Sequence, residues 1–189
     1  DAIPEIAQEI ILPENAVLLH TSGSQPLSTL GYAATPNIGV LYPLQTFTKN
    51  QKVDFKEVPF FVEAENDDTE KMITAMAKAI SKKVYKISSA ERKAIHLAAV
   101  FASNFTNHML TIAQEILEKN KMDFELLKPL IVETINKSLT IGPEQAQTGP
   151  AKRGDLEILD KHIAFLQKDK QLVEIYKIIS QHIIDKYEA

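Results

Sequence analysis

The sequence predicts an α/β region followed by an all-helical region. Three short apolar runs lie within the first 64 residues, and each borders on glycine, proline or small polar residues, as buried strands do. Segments with helical periodicity alternate with these runs, and from residue 88 onward only helical periodicity remains. Because strands that alternate with helices pair in parallel through crossovers, we predict part of a parallel sheet in residues 1–87 and a helical module in residues 88–189.

The composition is that of a globular protein and excludes several classes of function. The 189 residues carry a formal net charge of -4 at pH 7, with lysines and acids interspersed, so nucleic acid is not an expected partner. The absence of cysteine excludes disulfides, thiolate metal sites and cysteine nucleophiles. No apolar run approaches the roughly 20 residues of a membrane helix, and residues 1–12 lack the basic segment of a signal peptide. We therefore expect a cytoplasmic protein without a membrane partner.

The first elements follow from the spacing of apolar residues. Residues 2–11 present one apolar stripe and predict a short helix. The run 16–20 predicts a buried strand, after which a helix can begin near Pro26, because proline is tolerated in a first turn. The runs 38–42 and 58–63 predict two more strands, and the proline within the second run suits either an edge strand or a strand start.

Two helices are predicted in the middle of the chain. The first begins at Asp67 and continues through Val84 as an amphipathic helix. The second begins at a capping box formed by Ser88 and Glu91. No breaker interrupts this second helix before Asn120, so we expect a helix roughly 45 Å long.

The remaining elements are also helical. A helix capped by Asp123 should be kinked by Pro129 and end at Gly142, and two further helices begin near Asp155 and Lys170. The long central helix is apolar on several sides at once. Its apolar residues are Ile95, Leu97, Ala98, Val100, Phe101, Phe105, Met109, Ile112, Ile116 and Leu117. Such a helix must be covered all round, so we expect a homodimer formed through the C-terminal helices.

Four segments of the chain resemble one protein family, in the same order along the sequence. They are His20–Ser24, Tyr42–Phe47, His96–His108 and Gln147–Asp155. The family is a little-characterised Rossmann-like group, often labelled as NADP oxidoreductases, whose C-terminal part is a domain of unknown function, DUF2520. The resemblance implies a Rossmann NAD(P)-binding domain joined to a helical dimerisation domain. That helical domain is similar to the C-terminal domain of 6-phosphogluconate dehydrogenase and related to that of pyrroline-5-carboxylate reductase.

Two departures from the family pattern bear on this interpretation. Tyr42 stands where the family's H-P-L-Q-T-F pattern has histidine, which argues against roles that need an imidazole there. No G-x-G-x-x-G motif is present, and the sequence starts where family members have already passed the fourth strand of the nucleotide domain. We expect residues 1–87 to be the C-terminal part of a Rossmann domain, with the phosphate-binding half outside this sequence.

The predicted cofactor site lies at the ends of the first two strands. In open α/β sheets, ligands bind just beyond the carboxyl ends of strands, where hydroxyls can donate to a nicotinamide amide and a glycine permits close backbone approach. The expected cofactor-binding residues are His20, Thr21, Ser22, Gly23, Tyr42, Pro43 and Gln45. The alternative is an ordinary strand-to-helix turn capped by Ser24, in which His20 is a satisfied core residue.

A row of polar residues on the long helix forms a predicted catalytic seam. Its members share one face at helical spacing and are His96, Ser103, Asn107 and Thr111, with Asn104 beside them. We expect His96 and Asn107 to be catalytic, because no lysine lies in the seam and a proton would come from His96 or from a water held by Asn107. Ser103 and Asn104 are expected to bind substrate. The alternative is a helix-packing network of satisfied polar groups.

A polar loop near residue 150 is the other candidate site. Gln147, Thr148 and Arg153 are expected to bind substrate, since the N–H groups at a helix start, together with Arg153, can hold an anion. The loop can also be the start of a helix capped by Asp155, and both interpretations can hold together. The histidines are scattered without metal-ligand spacing, so no metal site is expected.

These features together predict an NAD(P)-dependent oxidoreductase that transfers a hydride to or from a small carbonyl or imine, with NADP or NAD as cofactor. The first alternative is a non-catalytic nucleotide-binding or dimeric scaffold protein, which Tyr42 and the absence of a lysine in the seam favour. The second is a helical interaction module whose α/β part is vestigial.

Overall fold

The computed structural model describes residues 2–187, and the chain folds into two compact units, residues 1–113 and 114–189. A four-stranded sheet in the order β1-β2-β3-β4 forms the centre of the first unit. Its strands are Leu18–His20 (β1), Ile38–Pro43 (β2), Phe60–Ala64 (β3) and Val84–Lys86 (β4). The α/β architecture predicted for this part of the chain is confirmed.

The sheet is mixed rather than wholly parallel. β1 pairs with β2 in parallel, and β3 pairs with β4 in parallel, but β2 and β3 run antiparallel. The connection between β2 and β3, residues 44–59, contains no α-helix and only a 3₁₀ turn at Phe55–Glu57. Parallel pairing needs a long crossover, so the prediction of parallel pairing is wrong at this pair. Pro59 directly precedes the inner strand β3, which confirms its interpretation as a strand start.

The helices of the first unit precede, separate and follow the strands. They are α1 (Ile3–Glu9), α2 (Asp67–Ile80), α3 (Ser89–Ala99) and α4 (Thr106–Lys119), the last of which continues into the second unit. Residues Val100–Phe105, between α3 and α4, are π-helical. Helical backbone therefore runs unbroken from Ser89 to Lys119, as predicted, and the capping box of Ser88 and Glu91 is confirmed.

The connection between β1 and β2 differs from its prediction. The helix expected near Pro26 is a single 3₁₀ turn, Leu27–Leu30, which ends at Gly31. Leu27 and Leu30 are both buried in the core cluster that covers one face of the sheet. One tight turn is thus enough to bury two leucines that are three residues apart. The apolar stripe is too short to extend this turn into an α-helix.

The end of α2 also differs from its prediction. The helix stops at Ile80, and Val84, which was expected to continue it, instead begins β4. The stop lies at Ser81, whose buried hydroxyl donates to the Val58 carbonyl oxygen at 2.6 Å and accepts from the Lys83 N–H at 3.0 Å. These tertiary contacts turn the chain back into the sheet, which apolar spacing alone did not reveal.

The alternation of side chains along the strands gives the first unit two core clusters. Phe61 packs with Val40 in one cluster, whereas Val62, the next residue of β3, packs with Ile73 of α2 in the other. The backbone of β2 lies so close to α2 that a Cβ atom on Gly39 would be 2.3 Å from Ile73 Cδ1. The sheet is therefore tightly covered by α2 on one face.

The second unit is helical, as predicted. Besides the end of α4 it contains α5 (Lys128–Ile141), α6 (Pro143–Ala146), α7 (Leu156–Leu166) and α8 (Lys170–Tyr187). The helix starts near Asp155 and Lys170 and the helix end at Gly142 are confirmed. Pro129 lies in the first turn of α5, after a 3₁₀ turn at residues 124–127, so the predicted kink is wrong.

Large apolar side chains remain exposed in both units. In the first, Leu97 and Phe101 are 59% and 62% exposed, and in the second, Leu139 and Ile178 are 81% and 67% exposed. Within residues 2–187, no helix combines the length and the apolar character needed to cross a membrane. The division between the compact units falls within α4, and the predicted domain boundary at residue 87 stays a prediction.

Candidate functional site

A cleft of about 660 Å³ lies in the first unit, between the end of β2 and the junction of α3 with the π-helical segment. Its polar lining residues are Tyr42, Gln45, Thr46, His96, Ser103 and Asn104. Its apolar lining residues are Leu44, Ile95, Ala98, Ala99, Val100 and Ala102. Among the residues that the structure describes, no lysine, arginine, aspartate or glutamate lines the cleft. Its chemistry suits polar groups that carry no strong charge.

A hydrogen bond joins the strand side and the helix side of the cleft. Tyr42 Oη lies 3.1 Å from His96 Nδ1, and the two rings meet edge to face with centroids 6.0 Å apart. Burial raises the pKa of Tyr42 above its ordinary value, so the phenol keeps its proton at neutral pH. In a neutral His96 ring protonated on Nε2, Tyr42 donates to Nδ1, and in a ring protonated on Nδ1, the imidazole donates to Tyr42 Oη.

Gly23 leaves the space in which this pair forms. A Cβ atom on Gly23 would lie 2.5 Å from His96 Nδ1 and 2.8 Å from Tyr42 Cζ, closer than atoms pack in protein interiors. The sequence predicts that this glycine allows close backbone approach to a ligand. In the structure, the backbone approaches the His96 and Tyr42 rings. Any side chain at position 23 would have to displace the rings or the loop.

His20 shapes the loop that follows β1. Its buried ring accepts the Ser22 N–H at Nδ1, 3.2 Å away, and donates from Nε2 to the Pro26 carbonyl oxygen at 3.3 Å. Burial lowers the pKa of His20, in agreement with a neutral ring protonated on Nε2. The Ser22 hydroxyl accepts from the Gln25 N–H at 3.1 Å and closes the turn. These contacts favour a structural role for His20, and its cofactor contact stays a prediction.

The predicted cofactor-binding residues lie around the same end of the first two strands. Tyr42 and Gln45 line the cleft, and Gln45 Oε1 accepts from the Thr46 N–H at 2.8 Å. Thr21 is exposed at the start of the loop, and Pro43 is the last residue of β2. The structure thus brings part of the predicted set to the cleft and places the rest in the loop and strand beside it.

A buried charge next to this loop was not among the residues predicted from the sequence. Arg92, which is 1% exposed, forms an ion pair with Glu63 at 2.8 Å. It also donates to the carbonyl oxygens of Ser22 and Gln25 at 2.8 and 2.6 Å. A cation in the first turn of a helix is opposed by the helix dipole and needs a partner. That unfavourable position is the signal by which Arg92 could have been found.

The π-helical segment determines which residues of the long helix reach the cleft. In a π-turn each N–H bonds the carbonyl five residues earlier, so the turn is wider than an α-helical turn. Ser103 and Asn104 lie in this segment and line the cleft together with His96. Asn107 and Thr111 follow it and are not among the described lining residues. The single seam expected from α-helical spacing is therefore interrupted, and the catalytic role of Asn107 stays a prediction.

A family model described as Domain of unknown function (DUF2520) matches residues 58–183. The chain belongs to the DUF2520 family. The family predicted from the sequence is thereby confirmed. No curated protein shows significant similarity to this DUF2520 chain.

Two solved structures are similar to this DUF2520 protein. A "putative NADP oxidoreductase" from Bacteroides fragilis is 41% identical in sequence with a TM-score of 0.91, and the match covers 97% of this chain and 71% of that one. A protein from Thermotoga maritima is 24% identical with a TM-score of 0.82, and the match covers 100% of this chain and 76% of that one. The second likeness concerns the fold alone.

The last candidate site of the DUF2520 chain lies in its second unit. The Gln147 carbonyl oxygen accepts from Lys152 Nζ at 2.8 Å, and Gln147 Nε2 donates to the Thr148 carbonyl oxygen at 2.8 Å. Asp155 accepts from the N–H three residues later at 3.3 Å and caps α7, so the interpretation as a helix start is confirmed. Thr148 and Arg153 are exposed, and their contact with substrate stays a prediction.

Proposed function

We propose that the cleft beside Tyr42 and His96 is the substrate side of an NAD(P)-dependent oxidoreductase, which transfers a hydride to or from a small carbonyl or imine. The observation that carries this proposal is the 3.1 Å contact between Tyr42 Oη and His96 Nδ1 on the wall of the cleft. Hydride transfer to a C=O or C=N bond leaves an oxygen or nitrogen that needs a proton. A histidine oriented by a tyrosine is a suitable source of that proton.

The family context supports oxidoreductase chemistry. The Bacteroides fragilis relative, which is 41% identical over 97% of this chain, is named a "putative NADP oxidoreductase". A fold hosts many functions, so the argument for this chain depends on the residues of its own cleft.

The Tyr42 and His96 pair can serve both protonation states of the imidazole. With a protonated ring, the Nδ1–H group donates to Tyr42 Oη, and it still does so after Nε2 has given up its proton. A neutral ring protonated on Nε2 instead accepts from Tyr42 at Nδ1. Tyr42 therefore keeps the ring in one orientation while a proton leaves or returns at Nε2. Because its pKa is raised by burial, Tyr42 is itself a weak acid and acts by orienting His96.

The chemistry of the cleft fits the nicotinamide end of a cofactor. A nicotinamide has two flat apolar faces and one carboxamide, and the cleft has an apolar wall with amide and hydroxyl side chains beside it. Leu44, Ile95 and Val100 would pack against the ring, and Gln45 and Asn104 would hydrogen-bond the carboxamide. When bound, the cofactor supplies or accepts the hydride. We propose NADP, with NAD as the alternative, because of the name of the Bacteroides fragilis relative.

We further propose that residues 88–189 form a domain similar to the C-terminal dimerisation domain of 6-phosphogluconate dehydrogenase, and that the protein is a homodimer. The support is the amount of exposed apolar surface on the helices of the second unit. The side chains concerned are Leu130, Val132, Ile135, Leu139, Ile141, Leu156, Phe165, Ile178 and Ile179. Large exposed apolar surfaces are unusual on monomers, and a second copy is the simplest cover because symmetry closes the assembly.

A nucleotide-binding scaffold without turnover is the second candidate function. The observation that favours it is the lining of the cleft, which among the described residues includes no strongly charged side chain. No fixed charge would then stabilise a reacting group, and the cleft would bind without catalysing.

Calorimetric titration of the full-length protein with NADPH and with NADH tests both candidates. Saturable binding of one nucleotide is expected, followed by turnover in a screen of small keto acids and imines. His96→Gln is expected to lower kcat by about 10²- to 10⁴-fold at an unchanged Tm, and His108→Gln, an exposed residue of α4, is the matched control. Binding of neither nucleotide would contradict the oxidoreductase proposal. Binding without turnover of any substrate would favour the scaffold.

A further inference from the structure

The guanidinium of Arg92 ties the loop after β1 to the start of α3. Its Nη1 donates to the Ser22 and Gln25 carbonyl oxygens at 2.8 and 2.6 Å, and the Gly23 carbonyl oxygen lies 3.5 Å away. Charge-assisted bonds to several carbonyls of one loop fix its path. Nε is buried without a hydrogen-bond partner, so the terminal nitrogens alone orient the group.

Glu63 holds the guanidinium from its other side. Its Oε2 accepts from Arg92 Nη2 at 2.8 Å, and its Oε1 accepts from the Ser89 N–H at 3.0 Å and the Ser89 hydroxyl at 2.7 Å. The Ser89 oxygen in turn accepts from the Leu27 N–H at 3.1 Å. Both charges thus lie in one network, and removing either would leave the other buried and uncompensated.

The loop that Arg92 holds touches the proposed proton-handling pair. Gly23 lies between the two carbonyl groups to which Arg92 donates, and a Cβ atom there would be 2.5 Å from His96 and 2.8 Å from Tyr42. Arg92 also precedes His96 by four residues in α3, which is about one helical turn. The guanidinium is therefore connected to His96 through the loop and through the helix.

We propose that Arg92 is a positioning residue, which fixes the loop 22–25 so that Gly23 holds His96 in the orientation that Tyr42 can hydrogen-bond. This inference rests on the proposed function of the cleft. Arg92 acts through Gly23 and His96 and has no contact with the substrate. Its loss should slow the chemical step more than it weakens substrate binding.

Arg92→Lys is the direct test. Lysine keeps the positive charge beside Glu63 but lacks the planar fork that serves Ser22, Gln25 and Glu63 together. We expect kcat to fall on the order of 10- to 100-fold while KM changes by less than about threefold. Lys93→Gln, an exposed neighbour on the same helix, is the matched control and is expected to keep both constants.

A second measurement reports the geometry independently of turnover. Nitrogen-15 NMR of the His96 ring records whether Nδ1 is hydrogen-bonded to Tyr42. We expect a changed Nδ1 chemical shift in Arg92→Lys and an unchanged one in Lys93→Gln. If Arg92→Lys does not fold, Ser89→Ala retains the ion pair, removes one hydroxyl from the network and should produce the same changes at smaller size.

Wild-type His96 signals in a folded Arg92→Lys protein would overturn the inference, whatever its Tm, and leave Arg92 as a stabiliser of the fold. Failure of the proposed function is a separate outcome. If the wild-type protein shows no nicotinamide-dependent turnover, that function is refuted, while the NMR comparison still decides whether Arg92 sets the geometry of His96 and Tyr42.

Discussion

Among single residues, Gly23 has little room for change, because His96 and Tyr42 atoms lie 2.5 and 2.8 Å from where its Cβ would be. Gly23→Ala is therefore expected to lower the free energy of unfolding by about 1–3 kcal/mol, as overpacking does elsewhere. Urea unfolding followed by circular dichroism measures the change. Ser24→Ala, exposed in the same loop, is the control and should stay within about 0.5 kcal/mol of wild type. A Gly23→Ala protein of wild-type stability would refute the close packing.

The buried ring of His20 is expected to make stability depend on pH in mild acid. Burial lowers the pKa of His20 in the folded state below its ordinary value of 6.5, so the unfolded chain takes up the proton first as pH falls. The stability that the neutral ring contributes is present above about pH 6.5 and is lost as pH falls through the folded-state pKa.

Urea unfolding between about pH 5 and pH 7.5 checks this expectation. Wild type should lose stability toward the acid end, and His20→Gln should reduce that slope because the titrating group is gone. His182→Gln, exposed on α8, controls for the loss of a histidine elsewhere. Equal slopes in wild type and His20→Gln would assign the acid sensitivity to other groups.

The site residues differ in how far the sequence could reveal them. Tyr42 has a local signal because it lies at a strand end, and His96 because it is a polar residue on an apolar helix. No local signal indicates that these two residues, 54 positions apart, form a pair. Gly23 was predicted to permit close approach, because glycine after a strand does so in many sheets. Arg92 was missed because charged side chains are seldom buried, so nothing in its local sequence singled it out.

Among the elements, those with strong end signals were predictable. The capping box at Ser88 and the cap at Asp155 depend on residues within one turn, and both helices begin where expected. β4 was missed because it is three residues long and exists through its pairing with β3 and the stop at Ser81. The antiparallel pairing of β2 with β3 was also missed, because the apolar spacing of the two strands does not show that the connection between them lacks an α-helix.

Deletion of Ala102 tests the π-helical segment as an element. A π-turn corresponds to one residue more than an α-helix needs, so the deletion should restore α-helical bonding and turn Ser103 and Asn104 away from the cleft. Nucleotide or substrate Kd, measured by calorimetry, is expected to rise about tenfold, while Tm stays equal or increases.

A double variant in the π-helical segment provides the comparison for this deletion. Ser103→Ala with Asn104→Ala removes the same two polar groups from the cleft and keeps the length of the helix. It should therefore weaken binding to a similar degree. Wild-type affinity in the deletion protein would show that the π-turn does not place these side chains in a binding site.

At the scale of the whole molecule, the exposed apolar side chains predict that the protein forms a dimer with a second copy of itself. Sedimentation at micromolar concentration should give twice the mass of one chain, and Leu139→Glu should reduce it to the mass of one chain, because a charge would enter the apolar contact. Ile11→Glu, at a side chain 95% exposed outside the helices, is the control and should remain dimeric. A wild-type monomer would refute the dimer.

The family, too, is a property of the whole molecule, and the sequence revealed it because four segments keep their order over most of the chain. The cleft is different, since its lining comes from residues 42–46 and 95–104, which only the sheet and the packing of α3 bring together. The π-helical segment then selects which helix residues reach it. Several residues that line the cleft could therefore be singled out from the sequence, but their arrangement could not.

The enclosure of Gly23 by two rings also has an evolutionary consequence. Positions 23, 42 and 96 share one volume, so a substitution at one of them changes what the other two can accept. A DUF2520 relative that carries alanine at the position of Gly23 should carry a smaller side chain at the position of Tyr42 or His96. These three positions are therefore expected to covary among relatives, even though they lie far apart along the chain.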